Sequence, residues 1–253
     1  MRTLYAAKTI TVGVHPQVHI FGLTMNLDIL MSTALCAGIF LFLGFRMRAK
    51  ATSGVPGKLQ LMWEILVTQV SELADSAIGP KGRRFVPLGV TLFMFILICN
   101  WLDFIPTAMH PGSSDPILPS PTGDVNLPLA MALFVIVWVH IESFRARGFL
   151  GYFKHYFQPF AVLGPINAIE EITKPITMTF RLFGNIFSGG LFVVVLATLL
   201  PVYSSPLELG WKLFDTGLLG LIQAFIFMLL TILYFGMAMS HDESHELVHE
   251  TSH

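Results

Sequence analysis

One arginine, Arg181, stands within Ile176–Pro201, a stretch whose other residues read as membrane-buried helix. A guanidinium near the centre of a bilayer helix costs at least ~2.5–3.5 kcal/mol. It cannot escape that cost by losing its proton, because its pKa stays above about 12. Such a group must face protein or water, and it marks a functional site. On a wheel of 100° per residue, Glu170, Lys174, Thr177, Arg181, Asn185 and Ser188 share one narrow face. Ile172, Ile176, Phe183 and Ile186 lie opposite. The result is a polar strip with a fixed cation in its middle. Lys212, Thr216 and Gln223 share a face on the following segment, from which Gln223 can reach across to the Arg181 face. Amides and hydroxyls also hold membrane helices together, so Asn185, Ser188 and Gln223 taken singly suit either role. Arg181 is different. It is too far from a helix end to snorkel easily, and the nearest acids on its face, Glu170 and Glu171, are more than two turns back.

Carboxylates gather toward the two ends of the apolar segments. Asp28, Asp103, Asp124 and Asp215 fall at one side of the membrane; Glu142, Glu170 and Glu171, with His140, fall at the other. Acids on both faces and a permanent cation between them form the layout of two proton half-channels separated by a barrier. Asp124 equally suits a helix start, as do Asp28 and Asp103, because Asp just ahead of an apolar run is a capping residue.

These groups need a membrane scaffold, and the composition supplies one. The 253 residues are 54% hydrophobic and 12% charged, with 22 Phe and 12 Met. Soluble domains run nearer ~25% charged. A net charge of −1 gives no support for nucleic-acid binding. Cys36 and Cys99 both fall in apolar runs, which argues against a disulfide. The first 26 residues lack a basic segment followed by a continuous apolar core, so no cleaved leader is expected.

Apolar spans run over 27–45, 86–105, 127–144, 165–200 and 211–239. Arg46, Arg48, Lys50 and Lys58 follow the first, Lys81, Arg83 and Arg84 precede the second, and Arg145, Arg147 and Lys154 follow the third. The stretches 106–126 and 201–210 contain no Lys or Arg. The positive-inside rule then gives five passes with the N-terminus outside and the C-terminus cytoplasmic. The expected fold is an all-α polytopic membrane protein forming a single membrane domain. Residues 1–26 form an external segment, 27–239 the helical membrane region, and 240–253 an acidic, His-rich cytoplasmic tail.

Between the first two spans, 57–77 alternates apolar Leu61, Ile65, Val70 and Leu73 with polar Glu64, Gln69 and Glu72. That pattern fits a helix lying at the interface; a shallow hairpin is the alternative. The fourth segment is too long for a simple crossing. From Ile166 to Leu200 is about 35 residues, or ~52 Å as helix, against a hydrocarbon core of ~30 Å. Unless Lys174-Pro175 breaks it, it must tilt strongly, and so must 211–239. The expectation is a strongly tilted hairpin of two long helices.

The strings Lys174-Pro-Ile-Thr-Met-Thr-Phe-Arg181-Leu-Phe-Gly-Asn185 and Gln223-Ala-Phe-Ile-Phe-Met-Leu-Leu-Thr231 strongly resemble subunit a of the F-type rotary ATP synthases. Asn100-Trp-Leu-Asp-Phe-Ile-Pro106 and Pro121-Thr-Gly-Asp-Val-Asn126 match the same pattern, and the likeness runs from about Asp28 to Met239. The resemblance implies a non-catalytic stator subunit, without cofactor or metal, in a cell membrane that is bacterial. Its partners would be a rotor ring of small subunits with one mid-membrane carboxylate each, the membrane helices of a peripheral stalk, and the lipid bilayer. Arg181 would match the essential arginine, with Asn185 and Gln223 as its polar neighbours and Ser188 on the same strip. Asp124 and Asn126 would match the outer access channel, and Glu170 or Glu171 would lie toward the inner one. Many relatives carry a Glu/His pair linking the two long helices. Here those positions hold Gly190 and Thr216, and Asp215 is the candidate replacement.

His245-Glu-Leu-Val-His249 spells a zinc-protease signature. It lies four residues from the C-terminal end of the sequence, with no later helix to supply a third ligand. A mobile acidic tail is the expectation there. A self-contained transporter would show internal repeats, and none is visible.

Overall fold

A computed structural model describes residues 17–20, 23–104, 118–156, 164–199 and 204–239. Two short strands, β1 (Gln17–Ile20) and β2 (Leu23–Asn26), pair antiparallel with Gln17 opposite Asn26. Among the described residues, everything after them is helical or connecting chain. The helices are α1 (Leu27–Lys50), α2 (Lys58–Ile78), α3 (Val86–Leu102), α4 (Asn126–Tyr156), α5 (Gly164–Leu199), α6 (Ser204–Lys212) and α7 (Gly220–Met239). A 3-10 turn, Pro80–Phe85, leads into α3, and a π-helical segment, Leu213–Leu219, joins α6 to α7.

Five helical stretches are long and apolar enough to cross a membrane: Leu27–Lys50, Pro80–Leu102, Asn126–Ala146, Ile169–Leu196 and Pro206–Met239. These are the five spans read from the sequence, and the all-α membrane class holds. The tail, 240–253, with its His245/His249 pair, lies outside the described residues, as does most of the 1–26 segment. α4 changes direction at Gly148, whose φ of 69° breaks the helix beyond the apolar span.

Three of the expected boundaries resolve cleanly. Residues 58–78 form one helix rather than a hairpin. Its packed face is Trp63, Val70 and Ala74, whereas Leu61 and Ile65 are exposed. An apolar residue at a lipid interface need not be covered by protein, so the amphipathic pattern marked two apolar surfaces, not one. α5 runs unbroken for 36 residues through Pro175, ~54 Å of helix. The lost Pro175 N–H removes one ladder bond. The last segment is not one continuous α-helix: the π-helical insert divides it.

The core is built by α3, α4, α5 and α7. Leu92, Ile96 and Leu97, Ala132, Val135 and Val139, Met178 and Leu182, and Ala224, Phe227 and Phe235 bury against one another. Lipid tails are as apolar as these side chains, so close packing rather than water exclusion holds such helices together. Small residues set the approach. A Cβ at Gly236 would stand 2.6 Å from the Ala77 carbonyl oxygen, so α2 and α7 meet backbone to backbone there. Gly236→Ala is therefore expected to cost about 1–3 kcal/mol of stability by overpacking, read as a lower unfolding temperature in detergent. An unchanged temperature would mean the two helices do not meet at this point.

Candidate functional site

Inward-facing Met178 and Leu182 fix the rotation of α5, and that rotation decides where Arg181 points. Residues 178 and 182 share the packed face with Pro175, Thr179 and Gly189, whereas Thr177, Phe180, Arg181 and Ser188 are exposed. The polar strip thus runs along an uncovered side of α5, with Lys174 and Asn185 half-buried at its edge. Only 22% of the most apolar window of Ile169–Leu196 is buried, against 61% for Pro80–Leu102. Among the described residues, Arg181 has no ion pair or hydrogen bond. Gln223 does not bond to it either. Ser188 Oγ donates to the Asn185 carbonyl, 2.9 Å, and so is occupied by its own helix.

Below Arg181, toward the start of α5, the acids are partnered. Lys174 Nζ lies 3.1 Å from Glu171 Oε1 and 3.9 Å from Glu170 Oε1, and 5.4 Å above the Tyr234 ring of α7. Glu171 Oε2 is buried without a partner among the described residues. Glu142 is held differently. It is buried between Arg84 (2.8 Å) and Arg145 (3.3 Å), which ties the start of α3 to α4. Arg84 also reaches Met239 Sδ at 3.4 Å, at the end of α7. A buried acid paired with two arginines is a structural clasp, because removing those arginines would leave a buried charge uncompensated.

Toward the opposite ends of the helices lies a second polar region. Asp124 accepts from the Asn126 backbone N–H (2.8 Å), from Asn126 Nδ2 (2.8 Å) and from Asn26 Nδ2 (3.1 Å). It therefore does the capping job that its position permits, and it also joins β2 to the start of α4. Asp28 is buried on α1, and the Ser32 hydroxyl one turn later is buried without a partner among the described residues. Lys212 Nζ binds Asp103 twice, through the carbonyl (2.6 Å) and the carboxylate (3.6 Å).

Asp215 sits beside that pair, within electrostatic reach of both Asp103 and Lys212. It is only 7% exposed, and its carboxylate lies directly on Gly189 of α5. A Cβ built at 189 would stand 2.7 Å from Asp215 Cγ and closer still to Oδ2. The glycine is thus the space the acid occupies. Thr216 is buried next to it, and Gly190 faces outward. The two long segments are further clasped by Phe192 against Trp211, ring centroids 4.1 Å apart.

The π-helical segment was not legible from periodicity. It turns less per residue than an α-helix, so one 100° wheel drawn across 211–239 does not carry Lys212 and Thr216 onto the face of Gln223. Wheel reasoning also overlooked a buried polar chain. Asn100 Nδ2 donates to the Gly220 carbonyl (3.0 Å), Thr122 Oγ1 donates to Asn100 Oδ1 (2.8 Å), and Ser120 Oγ contacts Thr122 and donates to the Cys99 carbonyl. A lone Asn amid the apolar run 86–105 was the available sign.

A family model described as the ATP synthase A chain matches residues 29–236. A protein named ATP synthase subunit a from Acidothermus cellulolyticus is 45% identical over 233 residues, covering 92% of this chain and 84% of that relative. One of the same name from Mycobacterium leprae is 43% identical over 255 residues, covering 96% and 99%. Another from Mycobacterium marinum is 45% identical over 245 residues, covering 94% and 97%.

Proposed function

The chain belongs to the ATP synthase A chain family, a membrane subunit of the F-type ATP synthase, and from that premise we propose how it works. It is the non-catalytic stator that offers protons two half-channels and faces a rotor ring with Arg181. The observation that supports this best is an exposed mid-span guanidinium with no counter-ion among the described residues, on a helix whose most apolar window is only 22% buried by this chain. A cation in that setting needs an acid from another chain.

A proton arriving from outside passes the region of Asp124, Asn126 and Asp215 to an ionised ring carboxylate. Once neutral, that carboxyl can enter lipid and travel with the ring. On completing its circuit it releases the proton toward Glu170 and Glu171. Arg181 keeps the arriving carboxylate ionised, because a neighbouring cation favours the charged form of an acid. The same charge blocks protons from crossing directly between the channels. Asn185 and Gln223 offer hydrogen bonds to the visiting carboxylate, and Ser188 extends the polar strip. Driving force is about 2.3 kcal/mol per proton per 100 mV. The basic ends of the helices face the cytoplasm of a bacterial cell, with the 1–26 segment outside, and peripheral-stalk helices pack elsewhere on the membrane domain.

The test is a photo-crosslinker at Thr177, four residues before Arg181 on the exposed strip, in membranes containing the whole complex. Cross-links to a small carboxylate-bearing subunit are expected, together with co-purification of its ring in mild detergent. Isolation of an active lone channel that cross-links only to lipid would overturn the reading.

A further inference from the structure

We infer that Asn100 is a positioning residue for the outer proton path: through Gly220 it holds the π-helical segment that places Asp215 over Gly189. This rests on the reading of Asp215 as an outer proton carrier. Asn100 is only 3% exposed, so its amide has no water to fall back on. Its Nδ2 donates to the Gly220 carbonyl, and the Gly220 N–H in turn bonds the Asp215 carbonyl. The second of these bonds spans five residues, which is the π-helical register. The amide of α3 is therefore connected, through one residue, Gly220, to the backbone of the acid.

Both sides of the clamp are fixed. A Cβ at Gly220 would stand 3.2 Å from Asn100 Cβ, so only glycine lets the amide approach freely. On its other side, Asn100 Oδ1 is held by Thr122, and Thr122 by Ser120, which is anchored on the Cys99 carbonyl. This chain orients the amide so that its nitrogen, not its oxygen, meets Gly220. π-helical turns are rare and survive where surrounding contacts maintain them. Without the clamp, the segment can relax toward α-helical register, which rotates Asp215 away from the Gly189 gap.

The experiment separates position from proton transfer. Gly189→Cys and Asp215→Cys are introduced together, with Cys36 and Cys99 replaced by alanine, in membranes carrying the intact complex. The native approach of Cβ and Cγ at these positions suits a disulfide, so oxidation with copper phenanthroline should join them rapidly. Asn100→Asp keeps the Thr122 bond but has no hydrogen to give Gly220, and should slow cross-linking about tenfold, the worth of one buried hydrogen bond. Gly220→Ala should do the same by displacing Asn100. Thr122→Val removes only the bond that orients the amide, and should slow cross-linking less than Asn100→Asp does, because the Asn100 nitrogen still has a hydrogen to give Gly220.

Proton pumping is then measured with Asp215 restored. Asn100→Asp should pump poorly and shift its dependence on outer pH. Parent-like cross-linking in both Asn100→Asp and Gly220→Ala overturns the inference, whatever the pumping. Slow cross-linking with normal pumping upholds the positioning role and instead removes Asp215 from the proton path.

Discussion

Arg181→Ala should abolish proton-driven ATP synthesis while the complex still assembles. Arg181 contributes nothing to the packed core, since the neighbouring Met178 and Leu182 make those contacts. Its removal therefore leaves helix packing intact and deletes only the charge. Two consequences follow in opposite directions. The ring carboxylate loses the cation that keeps it ionised, so protons are no longer exchanged in order. The barrier between the two channels also falls, so passive proton permeability should rise. Inverted membrane vesicles report both, through ATP synthesis under a respiratory gradient and the rate at which an imposed pH difference decays. Arg181→Lys should fail nearly as completely, because a buried lysine can shed its proton and become neutral. Normal coupling in either variant would remove Arg181 from the mechanism.

The second large effect is expected at Asp215. Asp215→Asn preserves shape and removes the titrating group, and should reduce proton-driven synthesis by about a hundredfold, as for loss of a positioned proton-transfer group. Gly189→Ala should mimic much of that loss without touching the acid, because the new methyl takes the space of the carboxylate. Rescue offers the sharper check. In the Asp215→Asn background, Gly190→Glu with Thr216→His rebuilds the Glu/His pair usual in the family and should restore part of the activity. An Asp215→Asn chain that synthesises ATP normally would show that protons enter by another route.

Glu142 illustrates how placement separates similar residues. The sequence sets it with Glu170 and Glu171 at one membrane face. In the fold it is enclosed by Arg84 and Arg145, whereas Glu171 keeps one buried oxygen unpartnered among the described residues. Charge count and position along the chain are identical in kind for the three acids. Only the neighbours brought from α3 and α4 make one a clasp and leave the others beside the strip.

Much was written in the chain itself. Apolar runs of membrane length, basic residues clustered at alternate ends, and an arginine at helical spacing within a polar strip depend only on local composition and the 3.6-residue period. Those features determined five spans, the helical class and Arg181 as the residue of interest. The family strings added the match that residues 29–236 bear out. What the sequence could not decide is whatever depends on two distant segments meeting. The π-helical register at Leu213–Leu219, the Gly189 gap filled by Asp215, and the amide of Asn100 reaching Gly220 arise from contacts across ~30 to ~120 residues of chain. Periodicity reports which side of its own helix a residue occupies. Which neighbour waits on that side is settled only when the helices pack.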